Sequence, residues 1–200
     1  MILPIIAYGD PVLRKVGEVI TKDYKGLDEI ISNMFDTMHN ALGVGLAAPQ
    51  IGKLIRLFVI ETKPFSERDE EDEDEDDEFT PEERKQLAQF KKVFINAKIV
   101  EEEGTEWLYN EGCLSIPKIR EDVSRKPKVR IQYYDEHFKY YDETYEGLIA
   151  RVIQHEYDHI EGKLFTDKIS PLRRRLLQGR LTDISKGKIK IGYKMKFPIK

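Results

Sequence analysis

The chain has 200 residues, 40% of them hydrophobic, enough for a single domain with its own core. No stretch approaches the ~20 apolar residues that a bilayer crossing needs, so no membrane partner is expected. The formal charge of -4 has a local cause: residues 69–78 are ten consecutive acids, and without them 27 acidic residues face 33 basic ones at +6, too scattered to make a DNA-binding footprint.

The N-terminus, Met1-Ile2-Leu3-Pro4, lacks a basic region, a long apolar core and a small-residue cleavage site, so it does not read as a signal peptide. Residues 28–42 set Ile30, Ile31, Met34, Phe35, Met38 and Leu42 at helical spacing, and Gly43-Val44-Gly45 is expected to end that helix in a left-handed turn. Residues 54–61 and 93–100 are β-rich and read as strands. Between them, 64–90 reads as a flexible, solvated acidic insertion, closing in a short helix from Pro81. Residues 129–134 and 139–145 flank Asp135-Glu136-His137-Phe138 as a hairpin. A helix follows over 147–161, closed by Gly162, and a last one over 171–184, capped by Ser170. The tail, 185–200, has six lysines and no acid. Strands and helices do not alternate regularly, which predicts one α+β domain over 1–200 rather than a doubly wound sheet.

The segment that carries chemistry is His155-Glu156-Tyr157-Asp158-His159. Histidines four apart on a helix project from one face and can share a metal ion. At about 100° per residue, Leu148, Val152, His155, Glu156 and His159 fall in one sector, with Arg151, Gln154, Asp158 and Glu161 opposite. The first set is expected to face inward and the second to face solvent. A buried glutamate beside two histidines is costly unless it has a task, and beside a metal it can move protons. The plainer alternative is an amphipathic helix that happens to contain the pattern.

A catalytic site usually needs a third protein ligand. Downstream, Phe165 stands where the metzincin pattern has its third histidine. Upstream lies the single cysteine, Cys113, in Glu111-Gly112-Cys113-Leu114-Ser115. It follows a β-like stretch and precedes Pro117, which predicts an irregular, accessible loop. Taken alone, a lone cysteine is more often a small buried hydrophobe; beside a metal its thiol ionises and binds. With one cysteine no intrachain disulfide forms, which suits a reducing compartment, and the cytoplasm is the expected location. In Gly43-Val44-Gly45-Leu46-Ala47-Ala48-Pro49-Gln50, small residues allow close backbone approach, and Gln50 offers an amide donor for a developing oxyanion. A simple helix-to-strand connection accounts for the same composition.

Together, residues 43–50, 111–115 and 154–159 resemble the three signature segments of peptide deformylase, in the same order, with Pro49 as a variant the family also shows. The resemblance runs from Pro11-Val12-Leu13-Arg14 to Ser170-Pro171-Leu172 and excludes the acidic insertion. It implies antiparallel or mixed sheets around a central helix that carries His-Glu-x-x-His. It implies one divalent ion on Cys113, His155 and His159, Fe(II) in the cell, with Zn, Ni or Co as substitutes. The substrate it implies is the N-formyl-methionyl end of a new protein, cleaved to formate and a free amine. Glu156 would pass the proton, and Gln50 and the Leu114 N–H would hold the oxyanion. Val44, Tyr109, Leu148 and Val152 are the candidates for the methionine pocket, for which core packing is an equal account. Gly45, Glu111 and Arg120 are the candidates for aligning the peptide, and Asp158 is a candidate partner of Arg125. The tail and last helix are read as a candidate ribosome contact, with a solvated terminal segment as the simpler account. Two other readings remain open: an endopeptidase with a third ligand after His159, and a binding module with Glu156 silent.

Overall fold

A computed structural model describes residues 1–67 and 79–198; the acidic run 69–78 lies outside the described residues. In chain order the elements are β1 (Ile5–Ile6), α1 (Leu27–Asn40), β2 (Gly45–Ala47), β3 (Leu57–Glu61), α2 (Lys63–Ser66), α3 (Pro81–Gln89), β4 (Lys91–Glu103), β5 (Trp107–Cys113), β6 (Ile116–Arg125), β7 (Lys128–Tyr134), β8 (Tyr140–Glu146), α4 (Gly147–Ile160), α5 (Pro171–Ser185) and β9 (Met195–Lys196). This is the expected α+β domain.

Strands β2-β3-β4-β7-β8, in that order, form an antiparallel five-stranded sheet. The continuous apolar run Leu57-Phe58-Val59-Ile60 follows from burial on both faces of β3. Phe58 and Ile60 pack with Phe94, Ile131 and the α4 residues Val152 and Ile153. Leu57 and Val59 point the other way, onto Ile31, Met34 and Met38 of α1. The period of two in the strand thus meets one helix on each side. Each such side chain, fully buried, contributes about 1.5–3 kcal/mol relative to exposure.

The helix α1 ends at Asn40, and the left-handed residue after it is Leu42, at φ 56°, rather than a glycine. The glycines expected to terminate the helix have a further use, described below. The flanks of the insertion expected over 64–90 are folded. Thr80 caps α3, accepting from the Glu83 N–H, and α2 and α3 bury Phe65 and Leu87. Thr62 Oγ1 donates to the Leu87 carbonyl at 2.7 Å, which ties the two helices together.

The hairpin β5–β6 turns through Leu114 and Ser115 alone. It covers the side of α4 that was expected to face solvent. Arg151, Gln154 and Asp158 are therefore 2%, 3% and 7% exposed. Arg151 donates to the carbonyls of Val123 and Trp107, both at 2.8 Å, and Gln154 donates to that of Lys126 at 3.0 Å. Polar residues opposite the apolar sector were read as a solvated stripe; Arg151, Gln154 and Asp158 are buried instead, met by backbone carbonyls and, at Asp158, by the Arg125 side chain.

Ser170 caps α5 as expected, and Leu177, Leu181 and Ile184 bury its inner face. Beyond it the tail is not simply a solvated segment. It returns across the molecule, and β9 pairs in parallel with β1. No helix among the described residues is long and apolar enough to cross a membrane.

Candidate metal centre

His155 and His159 stand one turn apart on α4, their ring centroids 5.1 Å apart. Cys113 is the last residue of β5, not part of an irregular loop as expected, and the tight hairpin turn aims its thiol at the helix. Its Sγ lies 3.2 Å from His159 Nε2, and the ligand atoms of Cys113, His155 and His159 lie within 4.8 Å of one another. Three positions spread over 47 residues of chain thus converge on one point.

The chemistry of these donors fits a transition-metal ion. A thiolate and two imidazoles are soft to borderline ligands that suit Zn, Fe, Co or Ni and not Mg or Ca. The electrostatics agree. Burial would push the His155 imidazole down, but the facing Cys113 thiol and Glu111 carboxylate outweigh it and hold its pKa well above the ordinary value. The arrangement thus favours positive charge at His155 in the absence of an ion. Burial and the neighbouring His155 charge push His159 well below its ordinary value, so its ring is neutral, the form that ligates.

Behind the ligands is a buried network that orients them. Glu111 Oε2 lies 2.9 Å from His155 Nδ1, leaving Nε2 to face Cys113. Both Glu111 oxygens also accept from Arg125, at 2.6 and 2.9 Å, and Oε1 accepts from Arg151 at 3.0 Å. Burial alone would raise the Glu111 carboxyl; the hydrogen bonds from His155 and Arg125 override it and hold it far below the usual range. Glu111 lines the cavity as expected, and both its side-chain oxygens are engaged by His155, Arg125 and Arg151. Asp158 meets Arg125 at 2.7 Å, as foreseen. Arg151, expected on the solvent side of the helix, completes the cluster.

Glu156 is 4% exposed, and its Oε2 has no hydrogen-bond partner among the described residues. Burial, the largest cause, raises its pKa to about 7 against the opposing His155 charge. An unpartnered carboxyl with that pKa, beside a metal site, is poised to take and return a proton. Gly45 makes room for it: a Cβ there would stand 2.7 Å from Glu156 Cδ. Gly43 does the same for Leu114, whose Cδ1 would be 2.7 Å from a Cβ. Both glycines serve close approach, and Gly43 also closes the end of α1, its N–H donating to the Met38 carbonyl at 2.9 Å.

Gln50 follows β2 in a short 3-10 turn, and its Oε1 accepts from the Ala47 N–H at 2.8 Å. That bond turns the Gln50 amide nitrogen toward Ser115 Oγ, at 3.2 Å, and Cys113 Sγ, at 3.6 Å. The site opens into a cavity of about 360 Å³. Val44, Gly45, Tyr109, Arg120, Leu148 and Val152 all line it. Arg120 is held back on the hairpin by Asn110, donating to its side-chain oxygen at 2.8 Å. The reading of the sequence missed Ile191 and Tyr193, which line the same cavity from the tail. Their signal was the alternation Ile189, Ile191, Tyr193, Met195, Phe197, which the lysines between them obscured.

The family model described as polypeptide deformylase matches residues 2–175. A peptide deformylase of Flavobacterium johnsoniae is 62% identical over 197 residues, covering 98% of this chain and 96% of the relative. One of Cytophaga hutchinsonii is 50% identical over 200 residues and the full length of both chains. Among solved structures, a peptide deformylase from Legionella pneumophila matches with a TM-score of 0.75 at 36% identity, covering 94% of this chain and 98% of the other.

Proposed function

Because the chain belongs to the polypeptide deformylase family, we propose that Cys113, His155 and His159 hold one divalent ion, that Glu156 moves the proton, and that Gln50 and the Leu114 N–H receive the oxyanion. The enzyme is a metallo-hydrolase that removes the N-formyl group from the ends of new protein chains. The observation that carries the residue assignment is the convergence of the lone thiol and two imidazoles beside an unpartnered, buried Glu156.

A divalent ion at this site supplies Lewis acidity and lowers the pKa of water, which an amide, a poor electrophile, requires at neutral pH. The remaining work falls to the protein. Glu156, buried and with no hydrogen-bond partner on Oε2 among the described residues, accepts the proton that the attacking water gives up. Charge then develops on the formyl oxygen, where the Gln50 amide and the Leu114 N–H donate to it. The protonated Glu156 delivers its proton to the departing α-amine, leaving formate and a free N-terminus. Val44, Tyr109, Leu148 and Val152 offer an apolar wall for the methionine side chain, and Gly45 backbone groups align the peptide. Fe(II) is the proposed cellular ion, and Zn, Ni or Co can replace it with the same donors. The proposed setting is the cytoplasm, beside the ribosome, with the lysines of 185–200 available to RNA phosphates.

The test is metal content together with anaerobic release of formate from formyl-Met-Ala-Ser, for the wild type and Glu156→Ala. The variant should keep its metal and lose about 10²–10⁴-fold in turnover. Full turnover without Glu156 would overturn the assignment. The endopeptidase reading has no support: Phe165, at the position of the needed ligand, is buried with its ring stacked on His155.

A further inference from the structure

The turn that carries Leu114 is held by a segment far from it in sequence. Tyr193 donates its hydroxyl hydrogen to the Leu114 carbonyl at 2.7 Å, across 79 residues of chain. The segment reaches there because it is pinned on both sides of Tyr193. Ile189, Met195 and Phe197 pack into the core that holds Leu13, Ile116 and Leu181, while Tyr193 itself packs with Leu114 and Met38. Backbone bonds from Ile5 N to Lys194 O and from Ala7 N to Lys196 O, both 2.9 Å, fasten it to the first strand. The next residue of the turn is held the same way, Tyr8 N donating to Ser115 O at 2.8 Å. Ile191 and Tyr193 face the cavity, and the flanking Lys190 and Lys194 face out. The family model ends at residue 175, before this strap, while the relative from Cytophaga hutchinsonii aligns through it.

We propose that the strap 189–197 is a working wall of the active site, and that Tyr193 is a positioning residue for the deformylation reaction, acting through Leu114. The proposal rests on the assignment of the Leu114 N–H as an oxyanion donor. The Leu114 carbonyl and N–H flank one Cα, so with the carbonyl tied, the N–H moves only by twisting two dihedrals inside a two-residue turn. Donors that are already in place cost no reorganisation when charge develops. An untethered turn leaves the ground state bound as before and weakens only the transition state, which is a loss in kcat and not in KM.

The test is Tyr193→Phe in the full-length, zinc-loaded enzyme, which keeps the ring and its packing and removes the one hydroxyl. Lys98→Ala, an exposed position on β4 away from the strap, is the control. The expected result for Tyr193→Phe is a fall in kcat of about three- to tenfold, the size of one hydrogen bond, with KM for formyl-Met-Ala-Ser within about twofold. The order parameter of the Leu114 amide should drop from the rigid range near ~0.85, while melting temperature and zinc content match the wild type. Lys98→Ala should leave every readout unchanged. An unchanged Leu114 amide in Tyr193→Phe overturns the positioning role. A loosened Leu114 amide with unchanged kcat overturns Leu114 as the donor, and the catalytic service of Tyr193 with it. A rise in KM at constant kcat overturns the transition-state argument.

Discussion

Gly45 and Glu156 share one space: a Cβ on Gly45 would lie 2.7 Å from the Cδ of Glu156, so the carboxyl occupies the volume a side chain would take. Gly45→Ala therefore displaces Glu156, the proposed proton carrier, without touching a proposed metal ligand. Turnover should fall about 10²-fold, the usual cost of misplacing a reacting group by about 1 Å. Steady-state rates with metal analysis on the same sample check this; full metal and full rate would show that Glu156 has slack.

Glu111 serves His155, Arg125 and Arg151 at once, with its side chain 4% exposed. Glu111→Gln removes the carboxylate that meets Arg151 and leaves Arg125 with Asp158 alone. The expected loss of stability is about 3–5 kcal/mol. Because Glu111 also orients a ligand, metal affinity should fall about 10–100-fold. Denaturant unfolding and competition with a chelating dye measure the two effects separately.

If Cys113, His155 and His159 hold the ion as proposed, metal binding is linked to folding. An ion held at 100 times its dissociation constant stabilises the native state by about 2.7 kcal/mol. Adding zinc to metal-stripped wild type should raise the melting temperature, and a chelator should reverse it. Cys113→Ser should show little of either response. An equal zinc shift in that variant would place the ion elsewhere.

On the sheet, Lys92 reaches Glu143 at 2.8 Å and the hydroxyls of Tyr133 and Tyr145 at 3.0 and 2.9 Å. Burial alone would raise the Glu143 carboxyl, but hydrogen bonds from Lys92, Tyr133 and Tyr145 outweigh it and lower its pKa. A carboxyl lowered on folding adds stability that is fully present above its unfolded value, near 4.5, and is lost as pH falls through the folded value. Glu143→Gln should therefore destabilise the protein at pH 7, with the difference from wild type closing in acid. Melting curves from pH 7 down to about 3 test it; a constant difference would mean that the charge is not the cause.

Much of the protein was legible in the chain because the relevant physics is local. Helical spacing alone put His155, Glu156 and His159 on one face, and the double-sided apolar run of β3 announced a buried strand. Ser170 and Pro171 marked the start of α5, as capping chemistry requires. The third ligand was a different matter. Local pattern left Cys113 between a buried hydrophobe and a ligand, and resemblance to a family, not periodicity, pointed to the metal.

What the tertiary structure decided are contacts between segments distant in sequence. Arg151, Gln154 and Asp158 looked like a solvated stripe, since polar side chains opposite an apolar sector usually face water. The β5–β6 hairpin buries them by supplying Glu111, Arg125 and backbone carbonyls that no helical wheel contains. The strap was hidden for the same reason. Its alternating apolar residues needed a partner, and that partner, the first strand and the Leu114 turn, lies 79 or more positions away. A residue's spacing dictates which way it points; only the closed fold dictates what it meets there.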